Sequence, residues 1–386
     1  MNNHERVTNI INRQPVDYLP SQINFTDYTR EKQIAEALGL PEGQSLDEYL
    51  QNCLWLTFPE DDLPIFYRNF DDIMQGLEDR GYAGVDFKNE IVYDRLGMGT
   101  KMHIDTFFVE YCPYEGNAEK DKQAAPFLPE RITKLFGLPL EEKIKKMELP
   151  DGGAEGTLDY MHNDFKLYND GSVFVFPACY FGVYERSYGL IGFEQYMMEM
   201  ADRPNLIHEL MEKMANYKVQ LAEKLVKETD SIIHHYGDDF GTQLAPMFSL
   251  EMFRELVKPY IKQVWDVYKD AGRKVCLHSC GCIMDFIPDL IEIGLDMLEP
   301  IQTCNDIDTL KREYGKDLIF WGGIETQILP FLTHDEVKEL TRKTIHTLGK
   351  GGGYIIGPSQ HVTCDVPIDN IKAMIETIME ERDKVF

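Results

Sequence analysis

Positive charge is scarce in this sequence. Its 386 residues hold 39 Lys and Arg against 66 Asp and Glu, a formal net charge of -27, so nucleic acid and acidic membrane surfaces would repel it. Long apolar runs are missing as well: nowhere do the roughly 18 consecutive apolar residues of a membrane span occur. The opening MNNHERVTNIINRQPVDYLP has neither the basic nor the long apolar region of a signal peptide. A cytoplasmic protein that binds neither nucleic acid nor membrane is therefore expected. No G-x-G-x-x-G follows an early β-rich run, which speaks against an open dinucleotide-binding sheet. The eight cysteines (Cys53, Cys112, Cys179, Cys276, Cys280, Cys282, Cys304 and Cys364) are spread along a chain without signs of secretion. Reduced thiols or metal ligands are expected, not a disulfide framework.

What is present in quantity is apolar material, 43% of the chain, enough for one large core. From about Asp170 onward, β-rich runs alternate with helical patterns. SVFVFPA (172–178), DSIIHHYGDD (230–239), KVCLHS, DMLEPI, LIFWGGI and GYIIGPS are each followed by an amphipathic stretch. That beat is the signature of a parallel sheet with crossover helices, and we expect an α/β fold, a TIM (β/α)8 barrel. Helix starts are signalled at Ser249, at Pro367 and at His334-Asp335-Glu336, and helix ends at Gly272, Gly294, Gly315 and Gly349. The first part is less regular. An amphipathic helix with Val7, Ile10 and Ile11 opens it, DYLPSQINF reads as the first strand, and the region around 30–160 is rich in aromatics and prolines, as in DDLPIFYRNF. One barrel domain spanning 1–386, with N-terminal helical elaborations and insertions, accounts for this pattern.

In a (β/α)8 barrel the site is built at the C-terminal ends of the strands. Asp238 and Asp239, His278 and Cys280, Glu299, Glu325 and Cys364 all fall at or just past predicted strand ends. His278 and Cys280, two apart in extended geometry, point to one side and can reach one ion. Cys364 would complete a His-Cys-Cys set, leaving a position for an oxygen ligand or a substrate, and zinc suits such a set. The plainer reading stays open beside it. H-x-C is a weak motif without a distant partner, and Cys276, Cys282 and Cys304 read as small buried hydrophobes. Of the adjacent Asp238 and Asp239 at most one points inward, the other being a loop charge or a cap, and His234 reads as a hydrogen-bonded core histidine.

Five stretches carry a resemblance to a known family: ERVTNIINRQPVDYLP, SLEMFRELVKPYIKQV (249–264), LHSCGCIMDFIPDLIEIGLDMLEPIQ (277–302), FWGGIETQILP (320–330) and GGYIIGPSQHVTCDVPIDNIKAM (352–374). On these the chain resembles the uroporphyrinogen decarboxylase superfamily and, within it, the corrinoid-dependent methyltransferases. The resemblance implies a TIM barrel and zinc held by His278, Cys280 and Cys364; if the resting zinc has four protein ligands, Glu299 is the candidate fourth, since substrate could displace a carboxylate. Two departures narrow it. The arginine-bearing segment of true decarboxylases is missing, since SQINFTDYTREKQ follows DYLP, and a net charge of -27 makes an octacarboxylate costly to bind. The length of the chain and HHYGDDFGTQ look more like O-demethylase components, which move a methyl group from a methoxylated aromatic to the cob(I)alamin of a corrinoid protein.

That activity implies zinc on this chain and a cobalamin supplied by a partner, because no D-x-H-x-x-G corrinoid motif appears. Asp239 and His235 are then the candidates to hold a phenolic hydroxyl or to pass a proton. Tyr180, Phe181, Tyr184 and Asp238 are the candidates to line the substrate slot. The competing reading is a methyltransferase that moves methyl from a methyl-corrinoid to a thiol such as coenzyme M, with uroporphyrinogen decarboxylation behind it, and a barrel that binds a corrinoid without catalysis is a third. A homodimer is compatible with any of them.

Overall fold

The β-branched and aromatic runs after Asp170 form strands, as their composition favours. In the computed structural model of the protein, the described residues are 1–26, 28–41, 43–59, 84–102 and 107–385. The strands are β1 (Leu54–Thr57), β2 (Val85–Asp86), β3 (Ile91–Tyr93), β4 (Gly99–Met102), β5 (Phe107–Tyr111), β6 (Phe174–Cys179), β7 (Ile233–Gly237), β8 (Lys274–His278), β9 (Met297–Ile301), β10 (Ile319–Ile324) and β11 (Tyr354–Pro358). Seven of them form one sheet in the order β1-β6-β7-β8-β9-β10-β11, every neighbouring pair parallel. Helices connect the strands from β6 onward, so the sheet curls into a TIM-type α/β barrel.

The expected first strand, 17–25, takes a different form. It makes isolated bridges, Ser21 to Ile356 and Phe25 to Val362. On the β11 side it exchanges Gln22 N–H to Ile356 O and Ile356 N–H to Pro20 O, both 2.9 Å. On the β1 side the ladder is largely replaced by side-chain amides. Leu54 N–H donates to Gln22 Oε1 (2.9 Å), and Asn52 binds both the N–H and the carbonyl of Ile23 (2.9 and 3.0 Å). Pro20 has no N–H to offer a regular strand. The segment still lies bonded between β11 and β1, and there it closes the ring.

Helix starts follow their signals. Ser249 Oγ accepts from Met252 N–H at 3.1 Å, Thr333 and Glu336 form a capping box ahead of His334, and Pro367 precedes the helix Ile368–Glu381. The opening helix Asn3–Ile11 buries Val7, Ile10 and Ile11. Gly272 and Gly294 have the positive φ of helix ends. Gly315 and Gly349 do not: an added Cβ would meet Lys311 O at 2.4 Å at the first and Leu19 and Val385 methyls at 2.8 Å at the second, so close packing is what selects glycine there.

Within the N-terminal elaboration, β2 to β5 make a separate antiparallel sheet. Asp94, just past β3, forms a buried ion pair with Arg186. This ties the small sheet to the helix Val183–Ile191 that follows β6. The stretch 61–70, quoted above as DDLPIFYRNF, lies outside the described residues.

Candidate active site

Register brings the site together. In the parallel ladder Gly237 pairs with His278, and His278 with Glu299, so the side chains of His278 and Glu299 stand side by side on one face. Glu299 Oε2 lies 2.5 Å from His278 Nδ1 and 3.2 Å from His235 Nε2. Both imidazoles converge on one carboxylate oxygen at the C-terminal mouth of the barrel.

The other ring nitrogen of His278 faces a second set. His278 Nε2 is 3.6 Å from Cys280 Sγ and 3.7 Å from Asp239 Oδ1. Asp239 Oδ1 also accepts from Cys280 N–H at 2.7 Å. Among the described residues, two groups therefore have ligand atoms within 4.8 Å of one another: His235 with His278 and Glu299, and Asp239 with His278 and Cys280.

The loop carrying Cys280 is held firmly. Gln302 Oε1 accepts from Gly281 N–H (2.6 Å), while Asn305 accepts from Ile283 N–H and donates to Gly281 O, both at 2.9 Å. Gly281 has φ +85°, and a Cβ there would sit 2.2 Å from the Gly241 backbone. The glycine of HSCGC is thus required by its conformation and by the loop against it.

The adjacent aspartates divide their roles. Asp239 faces His278 and Cys280. Asp238 is fully buried and turns to the start of the helix Val183–Ile191, accepting from Tyr184 N–H (3.1 Å), Glu185 N–H (2.7 Å) and Tyr236 Oη (3.0 Å). It caps in trans a helix whose own N-cap residue, Gly182, has no side chain. A Cβ on Gly182 would lie 2.3 Å from Asp238 Oδ2. Asp238 is therefore placed as a cap instead of lining the substrate slot.

The three aromatic candidates separate too. The Tyr180 ring is half-buried, with its centroid 5.1 Å from that of His235 and 5.6 Å from that of His278. Phe181, at φ +53°, is buried with Met98 and lies 4.8 Å from the Arg186 guanidinium. Tyr184 is buried among Tyr188, Tyr196, Phe240 and Phe248. Cys364, half-buried on the loop after β11, belongs to neither ligand group. Glu325 is buried and accepts from Thr303, Ser359 and Gln327, so it ties the ends of β9, β10 and β11 together. His234 is buried in the core, stacked on Tyr268 at 4.5 Å. It was expected to be hydrogen-bonded, yet neither ring nitrogen has a partner among the described residues, because that face of β7 packs on helix side chains.

Two residues at the mouth were missed in the sequence. Gln360 Nε2 donates to Cys280 Sγ at 3.2 Å, and its place directly after β11 was a usable signal. Glu185, bonded to Tyr188 Oη at 2.9 Å, sits three residues before that tyrosine on one helix face.

Electrostatics follow from burial and proximity. Burial works against charge on His278, but Glu299 and Cys280 outweigh it and raise the imidazole well above its usual range. Burial would likewise raise Glu299, yet the charge of His278 and the hydrogen bonds from both histidines hold it down to about 2. His235 is lowered by burial, only partly offset by Glu299, and so is neutral near pH 7. Burial and Asp239 raise the Cys280 thiol. Burial pushes Asp238 up to about 7 against the pull of its helix N–H donors. Glu185 is raised well above the carboxylate range by burial and by the charges of Asp239 and Asp238.

Comparison with known proteins places this geometry. No curated protein matches the chain. Among solved structures, a methyltransferase from Methanosarcina mazei is similar in fold, with a TM-score of 0.58 at 15% identity over 98% of this chain and 99% of that one. The family description uroporphyrinogen decarboxylase (URO-D) matches residues 172–381, more than half of the chain and the part that holds β6 to β11 with every residue of the two ligand groups. A barrel closed in this way, with its histidines, thiol and carboxylates gathered at the C-terminal mouth inside the matched segment, belongs to the uroporphyrinogen decarboxylase family.

Proposed function

We propose that the protein is a zinc-dependent methyltransferase that takes a methyl group from a methoxylated aromatic compound, an O-demethylation, and passes it to the cob(I)alamin of a separate corrinoid protein. The observation that carries this reading is the convergence of imidazole, thiol and carboxylate at His278, Cys280 and Asp239 on a barrel mouth. This soft, mixed donor set suits zinc and not magnesium or calcium. His278 through Nε2, Cys280 and Asp239 would hold the ion, with Cys364, on the same loop as Gln360, as a second thiolate. Glu299 would then orient His278 through Nδ1 in preference to acting as a fourth ligand, since ligating histidines are generally held by a carboxylate at the other nitrogen. Zinc bound there supplies a Lewis acid for the ether oxygen.

The chain's own side chains supply the rest. Tyr180, beside both imidazoles, offers a face against which an aromatic ring can pack. His235, expected in the sequence to hold a phenolic hydroxyl or pass a proton, is fully buried, so its Nδ1 is out of reach of a substrate. It gives its Nε2–H to Glu299 and so holds that carboxylate in place. The Glu185 carboxyl, bonded by Tyr188 Oη and raised chiefly by burial, would be suited to give a proton to the departing phenolate. The net charge of -27 argues against an octacarboxylate porphyrinogen as substrate. The fold likeness to a methyltransferase is consistent with this reading.

The test is to mix the zinc-loaded protein with cob(I)alamin and a panel of donors (methoxybenzoates, guaiacol, methanol, methylamines, dimethyl sulfide) and follow the absorbance of methylcobalamin. Methylation from the methoxylated aromatics is expected. No methylation from any donor would refute the proposal, and thiol-dependent loss of methyl from methylcobalamin would favour transfer to a thiol instead.

A further inference from the structure

Ser359, fully buried, fixes the root of the loop after β11: its N–H donates to Ile324 O (2.7 Å), and its hydroxyl donates to Glu325 Oε1 and accepts from Thr326 N–H, both at 3.0 Å. The next residue, exposed Gln360, accepts at Oε1 from His361 N–H at 3.1 Å. A backbone N–H can only donate, so the amide oxygen must be the atom turned toward it. The NH2 group is left facing the other way, where Nε2 lies 3.2 Å from Cys280 Sγ. An amide nitrogen has no basic lone pair to offer a metal, so toward this sulfur it acts only as a hydrogen-bond donor.

We propose that Gln360 is a positioning residue of the metal site, whose Nε2–H hydrogen bond to Cys280 Sγ draws electron density from the sulfur and sets the strength of its bond to the metal. The inference rests on the reading of His278 and Cys280 as metal ligands, and goes beyond it by naming the group that tunes the thiolate. Hydrogen bonds to ligating sulfur are a general means by which a protein adjusts a metal centre. Because Gln360 is exposed and its backbone is fixed through Ser359, removing its side chain leaves the fold standing.

Cobalt(II) serves as the probe, since thiolate bound to cobalt gives a charge-transfer absorption whose energy reports on the sulfur. The metal-free wild type and Gln360→Ala are each titrated with cobalt(II), with circular dichroism melting as a check on folding. Both are expected to bind one cobalt per chain, with the charge-transfer band of Gln360→Ala displaced to lower energy because an unbonded thiolate gives up charge more readily. A band unmoved or displaced to higher energy, with cobalt still bound, would overturn the role of Gln360 and leave the metal site standing. Absence of the band from the wild type would overturn both readings.

Discussion

Replacing Asp238 with asparagine separates a helix cap from a substrate-binding group. The carboxylate accepts three hydrogen bonds, two at Oδ2 from Tyr184 N–H and Tyr236 Oη and one at Oδ1 from Glu185 N–H. An asparagine of the same shape keeps one oxygen. In its better orientation that oxygen serves the Oδ2 pair, and its NH2 is pressed against Glu185 N–H, leaving a buried donor unsatisfied at about 1–3 kcal/mol. Above pH 7, where Asp238 is ionised, loss of its negative charge at the helix N-terminus adds roughly 0.3–1 kcal/mol. The two sum to about 1.3–4 kcal/mol, and at roughly 2.1 cal/mol/K of unfolding entropy per residue a 386-residue chain loses roughly 2–5 °C in Tm. Differential scanning calorimetry measures the fall, and metal analysis of the same sample should show the zinc retained. An unchanged Tm with weakened binding of a methoxybenzoate would refute the cap and return Asp238 to the substrate slot.

Glu299→Gln should fold normally and bind zinc about 10–100-fold more weakly, as read by competition with a chromogenic chelator, because the amide is a poorer partner for His278 Nδ1. His234 is held down to about 3, chiefly by burial. Its folded pKa lies below the unfolded value, so its contribution to stability is present above about 6.5 and is lost as pH falls from there toward 3. His234→Phe, which keeps the stack on Tyr268, should therefore raise Tm relative to the wild type more at pH 5 than at pH 7.5. An equal change at both would contradict a neutral buried histidine.

The barrel from β6 onward was legible because each strand is a short apolar run bounded by helix signals, and H-x-C announced itself through the two-residue period that puts both side chains on one face. Other parts depend on partners distant in sequence. The first strand was misjudged because Pro20 and the amides of Gln22 and Asn52 replace a regular ladder. Nothing local to DD at 238–239 says which carboxylate turns inward. That is decided by the bare Gly182 at a helix start in another βα unit, where a Cβ would lie 2.3 Å from Asp238 Oδ2. The position of Glu299 on the Nδ1 side of His278 follows from the register of β8 and β9, which composition does not encode.

The central claim is a zinc site built on His278 and Cys280, and zinc stoichiometry tests it most directly. Protein purified without added metal, and the variants Cys280→Ser and Cys364→Ser, are assayed by inductively coupled plasma mass spectrometry with circular dichroism to verify folding. The account predicts about one zinc per chain in the wild type and loss of most of it in both folded variants. A wild type without zinc, or full zinc retained in folded Cys280→Ser, would contradict it.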